Sequence, residues 1–398
     1  MGAERENMLA FIKEHLNDNT HELLLKAAKY PDIDMPQAVD QIVCRKLMKD
    51  KLPDWYENGR VIFPSRVSAE QCSSEKTGLY KQRLIDVNEQ VLCDLTGGMG
   101  VDSFYFSKVL DKVIYIERFE NYCACAKENF KELGALNIDV YNGDSSALFP
   151  TLGNLDVFYI DPARRGEGNK RLFAIEDCEP NVLELKDELL KQAGKVIIKL
   201  SPMVDITHSL SKLPEATAVH VVSVKNECKE LLIVLERGVS FDKPVEVTCV
   251  NFTTEGEEQS FVFTPDAEQQ ASVVYAEKML RYLYEPNASV MKAGAFKSIA
   301  EQLEVDKLQV SSHLYTSDSL LPDFPGRVFE VEEIIDFSGK TAKKLSTQIP
   351  KANIAVRNFP LDVNELRKKT KIKEGGDVYL FATTLQNEDK VILKCSKV

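Results

Sequence analysis

Residues 86–240 predict an α/β fold: a mostly parallel, seven-stranded sheet with helices on both faces and an antiparallel hairpin at its end. Three observations carry this. Short apolar runs alternate with segments at helical spacing. The first run ends in an acid and three closely spaced glycines, "DLTGGMGVD". The last two runs, "AVHVVSV" and "ELLIVLE", are separated only by "KNECK", too short for a crossover helix, so they pair antiparallel.

The elements follow in chain order. Residues 1–85 form a helical N-terminal region, with apolar periodicity through "LLLKAAKY" and "AVDQIVCRKLMKDKL". A loop then covers "LPDWYENGRVIFPSRVSAEQCSSEKTGLYKQRL". Trp55 and Tyr56 in that loop suit either packing or the stacking of a base. From residue 86 the strands are "QVLCDLT", "KVIYIER", "DVYNGD", "VFYID" and "KVIIKLS". Between them "SFYFSKVL", "NYCACAKENFKEL", "NVLELKDELLKQ" and "MVDITHSLSKL" have helical spacing. Residues 241–322 are a mixed α/β connecting domain in which Asn287 or Ser289 can cap a helix. Residues 323–398 read β-α-β-α-β-β, a small sheet with helices on one face. Their second helix opens with Asp362 and Glu365 at capping-box spacing.

Composition narrows the function. A chain of 398 residues exceeds what a single core supports, and 44% hydrophobic with 28% charged residues is a globular balance. No apolar run approaches the roughly 18 residues of a membrane span, and the polar N-terminus does not read as a secretory signal, so the expected compartment is the cytoplasm. The nine cysteines form no C-x-x-C pair and no cluster with histidine, so no metal site is expected. The formal net charge of −12 is segregated. Residues 340–373 hold ten Lys and Arg against Asp362 and Glu365, or 10 − 2 = +8, which leaves −20 on the rest.

The glycine turn is open between two ligands. Gly98 and Gly100 have the spacing of a dinucleotide fingerprint, but Ser103 stands where its third glycine belongs. Glu117 ends the second strand 19 residues after Gly98, where an acid can accept hydrogen bonds from two ribose hydroxyls, and Asp144 ends the third, placed to meet an adenine edge. Each acid alone could equally cap the helix after it. Together, and in this order, they favour an adenosine ligand.

These residues resemble the class I S-adenosylmethionine-dependent methyltransferases, a Rossmann-like fold whose seventh strand is inserted antiparallel. The resemblance implies S-adenosylmethionine as cofactor, with Asp94, Thr96, Gly97, Gly98 and Gly100 around its methionine part. It further implies Glu117 at the ribose, Asp144 at the adenine, and Arg118, Ser145 and Asp161 among the cofactor-binding residues. The stretches "EQCSSEKTGLYK", "DLTGGMGVD", "IDPARR" and "KLSPMVD" resemble a narrower bacterial group with a C-terminal THUMP-like domain. That implies a ferredoxin-like connecting domain, a THUMP-like domain at 323–398, and structured RNA, ribosomal or transfer, as partner.

In "YIDPARRGEG", Asp161 follows the fourth strand at the carboxyl edge where open α/β sheets bind ligands, and Pro162 stiffens the chain beyond it. Similar enzymes that methylate amines have an acid or Asn here that accepts hydrogen bonds from the target. Asp161, Pro162 and Arg164 are therefore the catalytic candidates. Arg164 and Arg165 either clamp a substrate phosphate or pair with acids such as Glu167 and Asp177 on a solvated loop. Lys343, Lys344, Arg367, Lys368 and Lys369 in the basic segment are further candidates for holding RNA. "KLSPMVD" follows the fifth strand with Ser201 and Pro202 and no cysteine. The Asp-Pro-x-Arg pattern also resembles uridine-C5 methyltransferases, which need a cysteine nucleophile there, so carbon methylation of a pyrimidine is set aside for nitrogen or oxygen. Lys199 reads as pointing into the sheet edge. Ser73, Ser74, Glu75, Thr77 and Lys81 either close over the cofactor or form a plain loop. The alternative function is a small-molecule or protein methyltransferase with a C-terminal interaction module.

Overall fold

A computed structural model describes residues 2–164, 174–239 and 243–398. The chain divides into two compact units, one of residues 1–216 with 233–240, the other of 217–232 with 241–398.

In the first unit, strands β1 (Val91–Asp94), β2 (Lys112–Glu117), β3 (Ile138–Asn142), β4 (Val157–Ile160) and β7 (Lys195–Leu200) form a parallel sheet in the order β7-β4-β1-β2-β3. Between β4 and β7, the two-residue strands β5 (Ala163–Arg164) and β6 (Cys178–Glu179) pair as a separate antiparallel ribbon. The order reverses at β1 and β4, so the turns after those strands diverge and leave a crevice at their carboxyl ends. The central strands are apolar on both faces because both are covered, and all four residues of β4 are buried.

The chain then enters β8 (Ala216–Val224) and β9 (Glu227–Glu236), joined by Lys225 and Asn226 at φ 53° and 60°. Two positive-φ residues make the mirror-image turn whose twist suits a hairpin. The end of β9, in the first unit, lies beside β7.

The segment expected to be a loop before β1 is helical in three places. Pro53–Glu57, Arg66–Gln71 and Glu75–Gln82 are too short for apolar periodicity to show, and side-chain caps start the latter two. Ser65 caps one, and Ser74 with Thr77 closes a capping box on the other. Trp55 is fully buried, its ring edge-on to Phe104 at 5.7 Å between centroids, so it packs and does not stack a base. Cys44, Met48 and Leu52 of the N-terminal region share one core with Met99, Phe104, Tyr115 and Phe130.

In the second unit β10 (Glu246–Phe252) runs parallel to β8 and β11 (Glu258–Phe263) antiparallel to β10, so the terminal hairpin of the sequence reading is extended by two further strands. Its other sheet contains β12 (Tyr282–Pro286), β13 (Asp306–Lys307), β14 (Tyr315–Ser317), β15 (Gly326–Asp336), β16 (Lys351–Arg357), β17 (Lys373–Thr384) and β18 (Lys390–Lys397). Their order is β13-β14-β12-β15-β18-β17-β16. Asn287 caps the helix Ala288–Ala293. Helices Gly339–Gln348 and Val363–Thr370 flank β16, the latter opening with the Asp362–Glu365 capping box and forming the crossover between parallel β16 and β17. Strand alternation splits the core in two. Leu380, Ala382 and Ile392 pack with Leu345 and Leu366 of the two helices, whereas Phe381, Val391 and Leu393 face Phe329 and Leu283.

Candidate active site

The turn after β1 is shaped from below. A Cβ on Gly97 would lie 2.2 Å from the Tyr115 ring and one on Gly100 2.6 Å from Phe130, so both glycines let the loop press onto aromatic side chains of the core. Gly98 is different. Its φ of 54° demands a residue tolerant of left-handed geometry, and a Cβ there would meet nothing closer than 3.7 Å, so its outer face is open. The Tyr115 hydroxyl donates to Gly98 O at 2.6 Å.

Asp94 ends β1 buried beneath this loop. It accepts from Thr96 N at 3.0 Å and from Ser103 Oγ at 2.7 Å, so its visible work is to hold the turn in shape. Burial pushes its pKa to about 7, against the lowering effect of those hydrogen bonds. Ser103, an apparent defect in a glycine pattern, is the hydroxyl that satisfies this carboxyl. Thr96 Oγ1 accepts from Asp161 N at 2.7 Å and so ties the glycine turn to the turn after β4.

Glu117, at the end of β2, accepts from Gly98 N and Phe119 N, each at 2.9 Å. A carboxylate has lone pairs left beyond those two bonds, so the group still suits a diol. Asp144 is exposed and caps Ser145–Leu148 by accepting from Ser146 N at 2.8 Å, while Ser145 is buried. Arg118 is exposed and reaches Glu179 on β6 at 3.1 Å. The open face of Gly98, the carboxylate of Glu117 and the cap at Asp144 thus occupy the carboxyl ends of β1, β2 and β3. Two acceptor carboxylates beside an open glycine turn are a set that fits S-adenosylmethionine.

Asp161 stands just beyond β4, its side chain 39% exposed, with the buried Pro162 next to it. Behind it lies a charge network that the sequence did not reveal. Lys199, on β7, donates to Asp161 Oδ2 at 2.5 Å and lies 3.8 Å from Asp102 Oδ2. Its head is therefore part of the site and is not lost in the sheet edge as expected. Asp102 also accepts from Tyr159 OH at 2.7 Å and Ser73 Oγ at 3.0 Å, and pairs with the buried Lys81 at 3.1 Å. Burial opposes ionisation of Asp102, but the Lys81 and Lys199 ammonium groups and the two hydroxyls overcome it and hold the carboxyl well below the usual range. Lys81 and Ser73 come from the segment read as a flanking loop. Only the sheet order places them beside residues of β4 and β7.

Arg164 lies on β5, paired in register with Cys178; Arg165 and Glu167 fall outside the described residues. Cys178, opposite Arg164 on this ribbon, is buried and is not presented to a substrate. In the second unit Lys344, Lys368 and Lys369 are exposed on the two helices beside β16. Arg367 instead turns inward, donating to Ile372 O and Ala352 O at 3.3 Å. Lys343 is on the first of these helices, and its side chain falls outside the description. Among the described residues there is no group of three or more His, Cys, Asp or Glu able to hold a metal, and no helix long and apolar enough to cross a membrane.

Comparison with known proteins gives two family models and structural matches, among them a full-length one. Residues 282–325 match a ferredoxin-like domain and residues 326–397 a THUMP domain-like family. The crystal structure of the "putative methyltransferase from Porphyromonas gingivalis W83" is 35% identical, covers 100% of this chain and 98% of that one, and superposes with a TM-score of 0.90. The O-methyltransferase from Bacillus cereus in complex with SAH covers 50% of this chain and 98% of its own at 13% identity and a TM-score of 0.36, too distant to bear on chemistry here. No curated protein matches the chain.

Proposed function

The chain belongs to the class I methyltransferases that carry a C-terminal THUMP-like domain, and on that premise we propose that it transfers a methyl group from S-adenosylmethionine to a base nitrogen in structured RNA, ribosomal or transfer. The observation that carries the reading is the Asp161 N to Thr96 Oγ1 hydrogen bond. It couples a half-exposed carboxylate to the cofactor-type glycine turn.

The cofactor, when bound, supplies a methyl group already activated on a sulfonium, so what remains for the protein is mostly positioning. Asp94 and Ser103 hold the turn, Glu117 accepts from the ribose hydroxyls, and the open side of Gly98 admits the methionine part. Asp161 accepts a hydrogen bond from the target N–H and turns the nitrogen lone pair toward the methyl carbon. Bound there, the cofactor would supply its methyl carbon to that lone pair and leave as the neutral thioether, and the proton of the methylated nitrogen would pass to water. The basic segment of the second unit, with Lys344, Lys368 and Lys369 exposed, supports a polyanionic substrate, and the acidic remainder disfavours unspecific contacts with one.

Labelled methyl transfer onto RNA, protein and metabolite fractions of a strain lacking the gene tests this. Label in RNA, lost in Asp161→Ala while S-adenosylmethionine still binds within about 3-fold, is expected. Label confined to protein or metabolites would replace RNA with the other acceptor class. An unchanged rate in Asp161→Ala would remove that residue from its role.

A further inference from the structure

We propose that Lys199 is a positioning residue for the methyl transfer, acting through Asp161, and that Asp102 and Lys81 exist to hold it there. The inference rests on the function proposed above. Its ground is one line of alternating charges, Asp161, Lys199, Asp102 and Lys81, drawn from the turn after β4, from β7, from the helix after the glycine turn and from the helix before β1.

The line has an outer and an inner end. Asp161 is 39% exposed, Lys199 13%, Asp102 11% and Lys81 1% on their side chains. Burying an ammonium is costly unless it is paired and hydrogen-bonded. Lys199 lies between two carboxylates, and the inner one is fixed by Tyr159 OH, Ser73 Oγ and Lys81. Such an arrangement exceeds what a surface ion pair needs, because three elements are spent on anchoring one ammonium.

The effect falls on the outer carboxylate. Lys199 engages Oδ2, and Asp161 N is tied to Thr96, so both the backbone and one oxygen of Asp161 are fixed. The remaining oxygen, Oδ1, has a defined direction in which to accept the substrate N–H. Without Lys199 the carboxylate can turn about its side-chain torsions, and an orienting contact of this kind is worth roughly 10²-fold in rate. The carboxylates described around Lys199 are those of Asp161 and Asp102, apart from the Gly98 turn and Glu117, so binding should be spared.

A double-mutant cycle on labelled methyl transfer decides it, with Lys199→Met, Asp161→Asn and the pair combined. All acceptor fractions are collected, so the cycle runs on whichever class is labelled. Asn also accepts hydrogen bonds and so keeps a measurable rate. In an otherwise unchanged chain, Lys199→Met should lower kcat about 10²-fold, with KM and the Kd of S-adenosylhomocysteine within about 3-fold. In the Asp161→Asn background the same change should cost less than about 3-fold, because the residue it acts through is already altered. Equal losses in both backgrounds, or a parallel loss of cofactor affinity, would overturn the proposal. Should Lys199→Met alone fail to fold, as read by Trp55 emission, the combined variant removes both charges of the outer pair together. A rate more than about 10-fold below Asp161→Asn would then overturn it. Label in protein only defeats the RNA reading and leaves Lys199 testable; no label in any fraction defeats both.

Discussion

Replacing Asp94 by Asn should change the pH dependence of stability more than stability itself. Asp94 is 1% exposed, and burial raises its pKa from 3.8 to about 7. The folded chain therefore keeps a proton on this carboxyl over a range in which the unfolded chain has lost it. Stability is highest on the acid side and falls as pH rises from about 4 to about 7. A shift of ~3 units corresponds to about 4 kcal/mol in full, of which about 3 kcal/mol falls between about pH 5 and pH 8. Asn fits the same space, can accept from Thr96 N, and carries no titrating group. The stability of the variant relative to wild type should thus improve by about 3 kcal/mol across that interval. Urea unfolding followed by Trp55 reads this directly, since Trp55 is the one tryptophan in the sequence and lies in the first unit. A difference between wild type and variant that stays flat within about 0.5 kcal/mol from acid to alkaline pH would refute the account of a costly ionisation beneath the turn.

Other outcomes follow from the same geometry. Lys81→Met leaves Asp102 buried without its innermost cation and should cost about 3–5 kcal/mol in the same Trp55 experiment. Glu117→Ala should weaken S-adenosylmethionine binding roughly 10- to 100-fold by calorimetry, because charge-assisted hydrogen bonds to a diol are lost and the Gly98 amide loses its acceptor. Lys368→Gln with Lys369→Gln should weaken RNA binding and lower the salt slope of log K by about one for each phosphate contact removed. An unchanged slope would move the RNA surface elsewhere.

The strands were legible because central parallel strands are apolar throughout and each ends in turn chemistry: Asp94 before the glycines, Glu117 before a helix, Asp144 before another. Local signals of that kind survive in one dimension. Lys199 and Lys81 did not, since one sits inside an apolar strand and the other in a short helix far upstream. Only the adjacency of β4 and β7 and the packing of helix Glu75–Gln82 bring them to Asp161 and Asp102. Ser103 shows a different limit. It was read as the absence of a glycine, whereas its hydroxyl is the partner that a buried Asp94 requires. The three short helices before β1 were missed because a run of five to eight residues completes too few turns for periodicity. Ser65 and Ser74 were the available sign, and caps alone do not distinguish a helix from a turn.

Gly78 has a consequence for how this protein can be divided. A side chain there would lie 2.3 Å from the Tyr105 ring, and Trp55 is set against Phe104. The helix before β1 and the helix after the glycine turn therefore meet at a distance only hydrogen permits. Cutting the chain where the first strand begins would pass through the middle of an aromatic layer, stripping Phe104 and Tyr105 of their cover and Asp102 of Lys81. The smallest separable piece of the first unit is thus larger than its parallel sheet.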